Sequence, residues 1–157
     1  MQKIVILVTL SLYFLSNQCI ETTNSIKNAA QTIAIQTHNA PQAIGPYSQA
    51  IKVINGQEVL FISGQLPIIP ETGELISEPT EATKQCMYNI DAILKEAGMD
   101  FSHVVETTIL LANIADFPAV NNAYASFLKE PYPARVTFQV GALPKNASVE
   151  IKMTAIR

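Results

Sequence analysis

The spacing of apolar residues changes period several times along the chain. Residues 31–36 alternate apolar and polar side chains and predict a short strand. Residues 48–54 and 58–65 predict two more, joined at Asn55-Gly56, a pair that favours a type I′ hairpin turn. Pro41, Gly45 and Pro46 punctuate the loop before them, and Pro67, Pro70 and Thr72-Gly73 mark a long turn after them. From about residue 78 to 97 the period becomes helical, with Ala82, Cys86, Ile90, Ile93, Leu94 and Ala97 on one face. Ser77 can cap this helix, Pro79 suits its first turn and Gly98 can end it. Residues 103–114 are β-branched and apolar on both faces, which predicts a strand covered on both sides. A second helix is predicted from an Asp116 cap, with Val120, Ala123, Tyr124, Phe127 and Leu128 in register.

Two alternating strands follow. In residues 135–140, Val136, Phe138 and Val140 oppose Arg135, Thr137 and Gln139; in residues 149–157, Val149, Ile151, Met153 and Ala155 oppose Glu150, Lys152 and Thr154. The turn between them suggests that they pair. The order is β-β-β-α-β-α-β-β without internal repeat, an α+β domain with one mixed sheet and two helices on one face.

The first residues follow another pattern. Residues 4–15 (IVILVTLSLYFL) carry no charge and follow Lys3. Twelve helical residues span about 18 Å, short of a hydrocarbon core of about 30 Å. A basic start and an apolar run of this length read as a secretory signal peptide, assigned to residues 1–19. Gln18 is too large for a lipoprotein-type site ahead of Cys19. Residues 20–30 read as a polar tether and residues 31–157 as the domain. The leader implies export to a periplasm or the outside, or a cytosolic product if it is not functional.

Composition then narrows the function. Of 157 residues, 48% are apolar, enough for one domain with a real core and too many for a disordered chain. Ten Lys and Arg face thirteen Asp and Glu, and only Arg135 and Arg157 are arginines, which does not supply the basic face that phosphate neutralisation needs. Cys19, Cys86, His38 and His103 are too few for a zinc cluster or disulfide scaffold. Cys86 lies on the helix stripe and reads as a packing residue, and the two histidines as solvated. Asn146-Ala147-Ser148 is a formal glycosylation sequon, meaningful only in a eukaryotic secretory pathway.

One pair of residues could carry chemistry. Arg135 offers a fork of donors for a carboxylate, and Glu150 could hold or activate a water. From spacing alone, a cross-strand salt bridge on a solvated face is the simpler reading.

The motifs around this pair resemble those of the RidA (YjgF) family. They are PARVTFQVGAL at residues 133–143 followed by VEI at 149–151, AIGPYSQ at 43–49, ISGQLP at 62–67, and FPAVN at 117–121 with Tyr124. The resemblance covers the whole domain. It implies a chorismate-mutase-like fold, a homotrimer with active sites in clefts between subunits, and hydrolysis of reactive 2-imino acids, such as 2-iminopropanoate and 2-iminobutanoate, to 2-keto acids and ammonia. It implies no cofactor and no metal. By position, Arg135 matches the arginine that grips the substrate carboxylate and Glu150 the acid that positions the attacking water. Tyr47, Ser63, Gly64 and Asn121 match the pocket lining. Thr137 stands where many members have Cys, which argues against a thiol role and leaves imine hydrolysis open. Two other readings stand beside the enzyme: a non-enzymatic carboxylate-binding or chaperone-like trimer, and the endoribonuclease activity that the family also carries, which the acidic charge disfavours.

Overall fold

A computed structural model describes residues 31–43, 45 and 47–157. The signal-peptide and tether readings, residues 1–19 and 20–30, lie outside the described residues, as do Ile44 and Pro46. Six strands form one sheet: β1 (Gln31–Ile35), β2 (Ala50–Ile54), β3 (Glu58–Gln65), β4 (Val104–Leu111), β5 (Ala134–Gln139) and β6 (Val149–Ile156). Two α-helices interrupt them, α1 (Pro79–Glu96) and α2 (Phe117–Ala125). The order of elements is the predicted one.

The order across the sheet is β1-β2-β3-β6-β4-β5. The last two strands therefore do not pair, contrary to the sequence expectation. β6 inserts between β3 and β4 and runs antiparallel to both, while β5 lies parallel to β4 at the edge. The cause is α2: a strand that follows a crossover helix returns parallel to the strand before it. The sheet is mixed.

Both helices cover one face. From α1, Cys86, Met87, Ile90, Ile93 and Leu94 pack against Leu60, Ile62, Ile151 and Met153 of the sheet, all essentially inaccessible. From α2, Val120 and Tyr124 join the same core, and the Tyr124 hydroxyl donates to Thr107 Oγ1 at 3.1 Å. Cys86 is the packing residue expected, and burial pushes its thiol pKa well up. Among the described residues, no layer covers the other face of the sheet. β4 is thus covered on one side only: Val104, Thr107, Ile109 and Leu111 are buried, and Thr108 and Leu110 half-exposed.

Local details depart from expectation where backbone geometry overrides residue preference. The β2–β3 hairpin pairs Ile54 with Glu58, so its loop has three residues; Gly56 alone takes a left-handed φ of 77°, which excludes type I′. Glu78, not Ser77, caps α1, its carboxylate accepting the Thr80 and Glu81 amides, which hold its pKa below the ordinary range. Gly98 ends this helix at φ 74°. A turn of 3₁₀ helix precedes α2, where Asn113 caps it and Asp116 makes no side-chain cap; the helix stops at Ala125, before Phe127 and Leu128. His103 is not simply solvated, since its Nδ1 lies 3.0 Å from Asp100 Oδ1 in a capping box.

Candidate functional site

Backbone register decides where the expected residues point. Thr107 of β4 pairs with Met153 on one side and Arg135 on the other. Leu110 pairs with Glu150 on one side and Phe138 on the other. Paired residues share a face of a sheet. Arg135 therefore lies on the face of Met153, under the helices, and Glu150 on the open face with Phe138. Two strand spacings separate them by about 10 Å across the sheet, and their three-residue offset adds about 10 Å along it. They make no cross-strand salt bridge; they belong to two half-sites.

The first half-site surrounds Arg135. Asn121 of α2 accepts a hydrogen bond from Arg135 Nη1 at 2.8 Å. The guanidinium lies over the rings of Tyr124 and Phe117, 5.2 and 5.7 Å from their centroids. One amide and two ring faces thus orient a group that remains exposed. The adjoining cavity, about 440 Å³, is lined by Asn121, Tyr124, Tyr132, Pro133 and Arg135. Thr137 shares this face of β5 through its pairing with Ile109, and its Oγ1 is buried without a hydrogen-bond partner.

The second half-site surrounds Glu150. A cavity of about 300 Å³ is lined by Tyr47, Ser63, Gly64, Leu66, Pro144 and Glu150. The β3–β6 register slips between Ile62 and Gln65, and this irregularity carries Ser63 and Gly64 past Glu150. Gly64 lacks a side chain where one has no room: a Cβ there would run into the Glu150 carboxyl group. Partial burial raises the Glu150 pKa above the ordinary carboxylate value. Ser63 Oγ donates to Ser48 O at 2.8 Å and ties the loop holding Tyr47 to β3.

Two buried amides build this half-site without touching the cavity. Gln49, only 2% exposed, accepts the Thr37 amide and donates to the carbonyls of Thr37, Ala40 and Pro41. Asn89 of α1 donates to the carbonyls of Leu66 and Ile68. Neither was singled out from sequence, although a polar residue on the apolar stripe of a helix, as Asn89 is, signals a buried hydrogen-bond duty. Leu66, Tyr132 and Pro144 were also missed. Tyr124, in register on the apolar face of its helix, is both core and cavity wall. Among the described residues no group of three His, Cys, Asp or Glu is arranged to hold a metal ion.

A family model described as Endoribonuclease L-PSP matches residues 37–157, nearly the whole domain. The chain belongs to the RidA (YjgF) family. Over 122 residues it is 52% identical to Reactive Intermediate Deaminase A, chloroplastic, of Arabidopsis thaliana, covering 77% of this chain and 64% of that longer relative. Over 124 residues it is 48% identical to human 2-iminobutanoate/2-iminopropanoate deaminase, covering 78% of this chain and 88% of the other. Among solved structures, RidA from Psychrobacter superposes with a TM-score of 0.74 at 43% identity, covering 78% of this chain and 98% of that one. Escherichia coli TdcF with bound serine superposes with a TM-score of 0.74 at 34% identity, covering 80% and 98%. These RidA folds share the single α+β domain described above.

Proposed function

We propose that this chain hydrolyses 2-imino acids, 2-iminopropanoate and 2-iminobutanoate among them, to the 2-keto acid and ammonia. The observation that carries the reading is the division of the chemistry between two faces: an oriented guanidinium on one and a half-buried carboxyl group on the other. Neither half is a complete site. A second copy that sets its Arg135 half against the Glu150 half of the first completes one, and three copies in a ring complete three. The uncovered face supports such an assembly, since Phe61, Val136 and Phe138 on it are 47, 48 and 45% exposed. The homotrimer is part of the proposal.

In the assembled cleft, Arg135 takes the substrate carboxylate in its fork and so fixes the imine carbon. Glu150 accepts a proton from a water as the water oxygen bonds to that carbon, and the C=N π pair moves to nitrogen. Glu150 returns that proton to nitrogen, giving the carbinolamine; it then takes the hydroxyl proton as the C=O forms and passes it to the amine nitrogen, so that the C–N bond breaks and ammonia leaves. A base with a raised pKa suits both directions of transfer near neutral pH. Tyr47, Ser63 and Gly64 shape the water side, Asn121 holds the guanidinium, and Thr137 is assigned to the ligand on the Arg135 side, its buried hydroxyl being unpartnered. Two relatives whose names are deaminase names support the reaction.

The runner-up is a non-enzymatic binder of carboxylate metabolites, which the bound serine in TdcF also fits. Endoribonuclease activity is disfavoured. The net charge is −3, and Lys52 and Arg157 are both engaged by Glu58. Residues 1–19 we read as an export signal that is removed, which N-terminal sequencing of the native protein tests. The deciding experiment supplies iminopropanoate generated in situ and follows pyruvate and ammonia. Acceleration over the spontaneous rate supports the hydrolase; saturable binding without acceleration supports the binder.

A further inference from the structure

A second cavity opens beside the Glu150 cavity. It measures about 240 Å³ and shares Tyr47, Gly64 and Leu66 with its neighbour, so the two adjoin. Its walls are mainly apolar, from Pro41, Ile68 and Pro70, with Gln42 and Gln65 as polar members. Its one charged lining residue is Lys145, and no carboxylate lines it.

Lys145 sits in an unusual place. It and Asn146 are the only non-glycine residues with positive φ among the described residues, at 56° and 57°. Two adjacent side-chain-bearing residues in the left-handed region are conformationally unfavourable, and such strain persists only where surroundings enforce it. Here they do: the turn is closed by hydrogen bonds from Asn146 N to Leu143 O and from Ala147 N to Pro144 O, and Leu143 and Ala147 are buried. The turn thus holds a cation in the cavity wall. The Lys145 ammonium has no carboxylate within salt-bridge distance among the described residues.

We propose that Lys145 is a specificity residue, and that this second cavity receives an imino acid side chain ending in a carboxylate. The reasoning rests on the hydrolase reading above. Arg135 and Glu150 engage groups common to every 2-imino acid, so discrimination must come from whatever the side chain meets. A largely apolar cavity with one unpaired ammonium in its wall fits a short methylene chain with a terminal anion. The predicted substrate class is the 2-imino dicarboxylic acids.

The test compares two imines generated in situ by amino-acid oxidases, one from L-glutamate and one from L-leucine, with the full protein and its Lys145→Met and Lys145→Arg variants. The readout is the ratio of kcat/KM for the acidic imine to that for the neutral one. Lys145→Met should lower this ratio at least tenfold, and Lys145→Arg should largely keep it. Raising the ionic strength should lower the parent ratio and leave that of Lys145→Met flat. Melting temperature and oligomer size of the variants check that the strained turn survives. A parent enzyme active on the neutral imine, with a ratio that Lys145→Met does not change, overturns the Lys145 assignment alone. A parent that hydrolyses neither imine overturns the hydrolase reading and this one with it.

Discussion

The Glu150 carboxyl group occupies the space that a Cβ on Gly64 would need. A glycine inside a strand usually weakens a sheet; here, next to the last residue of β3, it admits an acid to the cavity wall. Gly64 has no left-handed φ, so alanine suits its backbone. Gly64→Ala should fold, displace the carboxyl group and lower kcat/KM for iminopropanoate by about tenfold or more, a misplacement effect. Kinetics with a circular-dichroism control checks this, and unaltered kinetics would show that Glu150 does not need its present position.

Glu150→Gln should abolish most turnover and yet not destabilise the fold. Burial raises the native pKa of this group above the unfolded value. The native state therefore holds the proton more tightly, and stability falls as pH rises from the ordinary carboxylate range through the raised pKa. Glutamine escapes that loss, so the variant should melt at or above the parent at neutral pH, with the difference closing in acid. The same shift places the rising limb of the parent pH–rate profile above the ordinary glutamate range. Thermal melts and kcat/KM across pH test both statements.

Arg135→Lys keeps the charge but loses the fork, the Asn121 geometry and the stacking on Tyr124 and Phe117. We expect kcat/KM to drop by roughly 10²- to 10³-fold, about 3–4 kcal/mol of transition-state stabilisation, with the melting temperature little changed. Near-parental turnover would remove the guanidinium from the carboxylate-binding role.

Thr137→Val separates a structural hydroxyl from a functional one. The Oγ1 is buried and unpartnered, so its removal should raise stability by about 1 kcal/mol. If the hydroxyl serves the ligand, KM should rise as the melting temperature rises. A stability gain with unchanged KM would leave Thr137 no part in binding.

Phe138→Asp places a charge on the open face of the edge strand. The chain should still fold, because Phe138 is not in the core, but the proposed trimer should not form and activity should vanish with it. Light scattering reads the mass; an active trimer from this variant would move the subunit interface elsewhere.

Element order was legible in the sequence, because periods of 2 and 3.6 residues reflect local backbone geometry. Strand pairing was not. Nothing in the alternation of residues 135–140 and 149–157 says that β4 separates them; that follows from the crossover through α2. The alternation also misleads about faces. In β6 the apolar residues turn toward the helices, but in β5 Val136 and Phe138 turn away from them and Arg135 turns toward α2. A strand whose apolar side is left uncovered by its own described chain has the same pattern as one whose apolar side serves the core. The site residues could be named from motifs, while their separation onto two faces needed the register.

That separation has a genetic consequence. If each cleft draws its arginine from one chain and its glutamate from the next, a lesion is not confined to the chain that carries it. A chain lacking Arg135 and a chain lacking Glu150 are each inactive alone. In any mixed ring of three, however, one junction joins an intact arginine to an intact glutamate. Two dead alleles should therefore complement when co-expressed, to at most one working cleft per ring.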